Sequence, residues 1–87
     1  MKNTIQDKIY EFVRNHLLVS HDSFNMQYDD DLFAFGLDSL KLMKLIHFIE
    51  DEFQVVIPYE KVNTTYLRSI NTIAHLLEQL KKDKGHD

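Results

Sequence analysis

The chain has 87 residues, 44% hydrophobic and 28% charged, a balance that suits one small soluble globule and lies well away from the disordered class. Its net charge of −4, from 10 basic and 14 acidic residues with neutral histidines, argues against nucleic acid as the main partner, because phosphate binding needs a basic patch. With no cysteine there is no disulfide framework, no thiolate nucleophile and no cysteine-based zinc site.

One domain spanning residues 1–87 is expected, with 83–87 (DKGHD) as a frayed tail. A domain of this size has on the order of 4–13 kcal/mol of stability. The opening residues, MKNTIQDKIYEF, contain no long apolar run. Neither a signal peptide nor a membrane anchor is expected, and the reading is a cytoplasmic monomer.

Asn3 or Thr4 can cap a first helix, whose apolar positions follow at Ile5, Ile9, Phe12, Val13, His16 and Leu17, a one-faced pattern. Asp7 falls near its positive end, and Lys8 and Tyr10 are expected to face outward. Residues 18–37 are too long for a simple helix–helix connection. Leu18, Val19, Phe24, Met26, Leu32, Phe33 and Phe35 are spread through them, so an ordered loop pinned over a core is expected. Asp29, Asp30 and Asp31 lack the spacing and glycine of an EF-hand, and a solvated turn is expected instead of a metal site.

Gly36 suits a turn of positive φ. Asp38 or Ser39 can cap the next helix, which carries apolar residues at Leu42, Leu45, Ile46, Ile49 and Phe53. Its roughly 15 residues would span about 22 Å. Ser39 then lies at the mouth of a helix, beside a loop, within reach of solvent. The QVVI stretch, 54–57, has no matching strand to pair with and reads as a connection. Pro58 opens a turn, Asn63 can cap a short helical turn through Leu67 and Arg68, and Ser69 or Asn71 can cap the last helix. That helix has apolar positions at Ile70, Ile73, Ala74, Leu77 and Leu80, with Lys81 and Lys82 at its negative end. The fold class is all-α: a small four-helix bundle of three longer helices and one short one, with a long ordered first loop.

The stretch DDLFAFGLDSLKLMKLIHFIEDEF, Asp30 to Phe53, followed by Ile57 and Pro58, resembles the acyl and peptidyl carrier proteins of fatty-acid, polyketide and nonribosomal-peptide synthesis. The resemblance covers nearly the whole chain. It implies that Ser39, in Gly36-Leu37-Asp38-Ser39-Leu40, carries 4′-phosphopantetheine taken from coenzyme A, with cargo held as a thioester. It implies supporting roles for Asp38 and Leu40 in recognition by the phosphopantetheinyl transferase, and a partner-reading patch at Leu40 and Met43. On the residues alone, Leu40 and Met43 fit such a patch or partial burial against the loop or the short helix equally well. Further implied partners are an adenylating or acyl-loading enzyme and downstream synthase or tailoring enzymes.

Ser39 does not read as a hydrolase nucleophile. The strained elbow needs G-x-S-x-G on a strand-to-helix turn, and His16, His21, His47, His75 and His86 are scattered with nothing tying one to Ser39. A helix cap and no more is the plain alternative for Asp38 and Ser39. The chain departs from fatty-acid carriers in placing Lys41 and Lys44 where acids usually lie on this helix, with Glu50, Asp51 and Glu52 following only at its end. That reversal would weaken docking on a basic patch and speaks against fatty-acid synthesis, while the stretch Tyr66-Leu-Arg-Ser-Ile-Asn-Thr-Ile-Ala resembles stand-alone carriers of secondary metabolism, including those loaded with an amino acid by a separate adenylating enzyme. The resemblance implies a discrete, non-catalytic carrier, with aminoacyl cargo preferred and Lys41, Met43 and Lys44 helping to choose partners. The alternatives are a fatty-acid carrier and an unmodified helical interaction module.

Overall fold

The computed structural model of the chain describes residues 4–18 and 25–84. Asn3 as an alternative cap, Val19 and Phe24 as loop pins, His21, and the tail at 85–87 lie outside the described residues.

Thr4 opens α1 (Ile5–Phe12). Its hydroxyl oxygen accepts the Asp7 N–H at 3.1 Å, satisfying a donor that a helix start leaves free. Ile9 and Val13 are fully buried. The helix then widens into a π-helical turn, Val13–Leu17, closed by the Leu18 N–H on the Val13 carbonyl at 2.8 Å. The wider turn carries Leu17 and Leu18 inward and leaves His16, expected on the apolar stripe, exposed with its ring 5.2 Å from Phe12. A 3.6-residue period cannot register that change of pitch. Tyr10 is a second correction: instead of facing outward it is half-buried, its ring 5.3 Å from Tyr28.

The connection before α2 is pinned by Met26, Leu32 and Leu37, all buried, as its apolar content predicts. Its acidic run is the expected turn, with Asp29 exposed and Asp30 and Asp31 half-buried, and its carboxylates also tie it to the fold. Asp29 accepts from the Asn71 side chain, Asp30 accepts the Gln27 N–H at 2.8 Å, and Asp31 caps a 3₁₀ turn, Leu32–Phe35, by accepting the Phe33 N–H at 2.9 Å. Asp31 also lies 3.6 Å from Arg68. Backbone bonds from Leu32 to the Arg68 carbonyl (2.7 Å) and from Asn71 to the Tyr28 carbonyl (3.0 Å) complete the seam. Successive side chains here diverge, so each carboxylate meets its own donor.

Tyr28 adds a side-chain tie, its hydroxyl donating to the Asp7 carboxylate. That bond, with smaller effects of burial and of the Asp7 charge, pushes the phenol up to about 12 from its ordinary 10.0. A proton held more tightly in the folded state stabilises it fully below pH 10.0, and the contribution is lost as pH rises through about 12. Tyr28→Phe is therefore expected to cost about 1 kcal/mol at neutral pH. In denaturant titrations the gap to wild type should close across that alkaline window; a gap constant with pH would contradict the assignment.

α2 (Ser39–Phe53) buries Leu45, Ile46, Ile49 and Phe53, with Leu42 half-buried beside them. It runs antiparallel to α1: Lys8 reaches Glu52 at 3.7 Å, while one turn further along α1 the Phe12 ring stacks on Phe48 at 4.0 Å. Lys8 and Lys81 both lie over the Phe53 ring, 5.9 and 5.6 Å from its centre, within cation–π range. After α2, Val55 and Ile57 point inward and Val56 outward, the alternation of an extended segment. The Glu50 carboxylate accepts the Ile57 N–H at 3.0 Å, so this donor is met without a partner strand. The described residues contain no strand.

A 3₁₀ turn (Tyr59–Lys61) follows Pro58. Asn63 caps the short α3 (Thr64–Leu67), accepting from Thr65 and Tyr66 at 2.9 and 3.2 Å. Ser69 caps α4 (Ile70–Lys84). Its hydroxyl oxygen accepts the Thr72 N–H at 3.1 Å and the Thr72 hydroxyl oxygen accepts the Ser69 N–H at 3.0 Å, a reciprocal cap. The helix extends to Lys84. It buries Leu76 besides Ile70, Ile73, Ala74 and Leu77, because it packs against both α1 and α3. The described residues thus form the expected all-α bundle, three longer helices and one short one.

Candidate functional site

The entry to α2 is set by three consecutive features. Gly36 takes φ +111°, and its N–H bonds to the Phe33 carbonyl at 3.2 Å. A Cβ there would meet only the Leu18 side chain at 3.8 Å, so the left-handed backbone, and not lack of space, asks for glycine. Leu37 turns inward and is buried. With that anchor in place, Asp38, Ser39 and Leu40 come out at the surface.

Asp38 is the N-cap. Its backbone is extended, its carboxylate accepts the Lys41 N–H at 2.9 Å and its carbonyl accepts the Leu42 N–H at 2.8 Å. Ser39 is the first residue of the helix and is exposed. At that position the N–H groups of Ser39 and Leu40 have no acceptor within the helix. An anion joined to the Ser39 oxygen would meet these donors and the positive end of the helix dipole. The Asp38 charge is engaged at Lys41, which eases its conflict with a second anion nearby. Asp38→Ala is expected to cost about 1 kcal/mol and Asp38→Asn only a few tenths. Thermal unfolding checks this, and an alanine variant as stable as wild type would contradict the cap.

Beside the exposed Asp38, the surface following this serine on α2 carries apolar and basic side chains. Leu40 is 69% exposed and Met43 48%, so both side chains are open to solvent. Lys44 is exposed and Lys41 half-buried. Two of the three acids at the end of α2 are engaged within the fold, Glu50 on the Ile57 N–H and Glu52 beside Lys8. Among the described residues the Ser39 side chain has no hydrogen-bond partner, and His47 stands about two turns further along the helix. An open groove of ≈ 700 Å³, with walls that include His47, Gln54, Val56 and Leu80, lies toward the far end of α2. Val56 and Tyr59, 78% and 91% exposed, are apolar surface that helical periodicity does not flag. The inside–outside alternation of QVVI was the available signal for Val56.

An exposed serine opening a long amphipathic helix in a four-helix bundle, with free N–H groups for an anion and an apolar rim, fits a covalent phosphodiester. A family model described as PP-binding, the phosphopantetheine attachment site, matches residues 7–78. The chain belongs to that family, the acyl and peptidyl carrier proteins. It is a carrier protein bearing covalent 4′-phosphopantetheine. Carrier domains of this family are generally non-catalytic, and they meet a phosphopantetheinyl transferase and acyl-loading enzymes. No described helix is long and apolar enough to cross a membrane.

Proposed function

We propose that Ser39 is the attachment residue, in a single carrier domain that performs no chemistry of its own and holds activated acyl or aminoacyl groups for secondary-metabolite biosynthesis. The observation that carries this reading is the exposed Ser39 side chain at the first position of α2, beside backbone donors that suit a phosphodiester, with the neighbouring carboxylate drawn off to Lys41. Asp38 shapes the helix mouth that the transferase must approach, and Leu40 gives it an apolar contact. Lys41, Met43 and Lys44 present a face unlike the acidic one of fatty-acid carriers. That charge pattern favours secondary metabolism, with aminoacyl cargo ahead of polyketide acyl chains.

The test is loading of the phosphopantetheine-bearing protein, followed by intact mass, with adenylating enzymes for amino acids beside acyltransferases for malonyl and longer acyl groups. Aminoacyl transfer as the fastest reaction supports the reading. Efficient loading by fatty-acid enzymes alone would move the protein to fatty-acid synthesis.

A further inference from the structure

We infer that the face around Ser39 is complementary to a protein partner whose contact surface is an apolar pocket rimmed by carboxylates. This rests on Ser39 being the attachment residue and adds the partner's chemistry. The whole-chain charge of −4 suggests the opposite, a protein that docks on basic surfaces. The carboxylates keep their charge, but several are turned to partners within the fold and not toward the outward face of α2. Asp38 is bonded to the Lys41 N–H, Glu50 to the Ile57 N–H, and Glu52 lies beside Lys8. In the preceding loop Asp29, Asp30 and Asp31 are bonded to Asn71, Gln27 and Phe33, with Arg68 also beside Asp31. Asp38 is exposed at the helix mouth with its carboxylate turned to the Lys41 N–H, and the exposed Asp51 and Glu52 lie about 18 Å or more along the helix from Ser39.

On the outward face of α2 an exposed cation lies closer to Ser39 than Asp51 and Glu52 do. Lys44 lies about 7.5 Å along the axis from Ser39. At 100° per residue, Leu40, Met43 and Lys44 fall within one outward sector of α2, opposite the buried Leu45, Ile46 and Ile49. Leu40 and Met43 supply the apolar contact that drives association. Met43 adapts its shape, and Lys44 supplies a charge that favours carboxylates and rejects ammonium and guanidinium groups. A membrane surface fits less well, because one exposed lysine with a half-buried neighbour is a weak hold on anionic lipid and the chain as a whole is repelled by it.

The experiment uses the full chain, first converted to its phosphopantetheine form and checked by mass, so that failure of attachment is seen before docking is measured. The labelled protein is titrated in NMR with two amphipathic helical peptides that share one leucine-rich face and carry glutamates or lysines on its flanks. The acidic peptide is expected to bind about tenfold more tightly, to shift the resonances of Leu40, Met43 and Lys44 most, and to weaken as salt is raised. Lys44→Glu should remove or reverse that preference. Equal or tighter binding of the basic peptide, no binding of either, shifts centred elsewhere, or binding to anionic phospholipid vesicles in place of the acidic peptide would each overturn the inference while leaving Ser39 as the attachment residue.

Discussion

Ser39→Ala is expected to acquire no phosphopantetheine when incubated with coenzyme A and a broad-specificity transferase, under conditions that convert the wild type completely. The loss should be total because the variant has no oxygen to form the phosphodiester. The variant should remain folded, with stability changed by less than about 0.5 kcal/mol. Ser39 is exposed, and the helix start is satisfied by Asp38, whose carboxylate holds the Lys41 N–H at 2.9 Å. Intact mass and a thermal melt together separate the two effects. A variant that still gains the group would move the attachment elsewhere, and one that fails to fold would mean that Ser39 bears on the helix start in a way its exposure does not show.

Leu45→Ala should give the largest change in stability. Leu45 lies on the inward stripe of α2, fully buried, and its removal leaves a cavity in a core that cannot collapse freely around it. The expected cost is about 2–5 kcal/mol, against a total on the order of 4–13 kcal/mol for a domain this small. In urea the midpoint should fall sharply with the slope preserved. The consequence for function is indirect: the helix that presents Ser39 depends on this packing, so attachment should fail at temperatures where the wild type is still modified. A cost under about 1 kcal/mol would contradict the burial of α2.

What could be read from the sequence was local. The α2 stripe, the Gly36 turn, the Asn63 cap and the Ser69 alternative for α4 each depend on residues within a few positions of one another, and the structure shows each. Long-range pairings left no such trace. Asp29 with Asn71, Tyr28 with Asp7 and Tyr10 with Tyr28 join residues far apart in the chain, so the ties of the aspartate turn to α4 were not legible and Tyr10 looked like a surface residue. The π-helical turn at Val13–Leu17 escaped because periodicity assumes a constant pitch. At the site, the helix mouth was legible from Asp38 and Ser39, since a cap follows from chemistry. The covalent group was not. It entered through resemblance, because a capped helix with an exposed serine occurs in many unrelated proteins. The engagement of Glu50 and Glu52 within the fold required the folded positions of Ile57 and Lys8.

The most direct test of the central claim is intact mass of the wild-type protein after incubation with a broad-specificity transferase and coenzyme A, followed by fragmentation to place the added group. A gain of one phosphopantetheine, localised to Ser39, is the predicted result. A folded protein that gains nothing while a known carrier is modified in parallel, or a gain localised to any other residue, would contradict it.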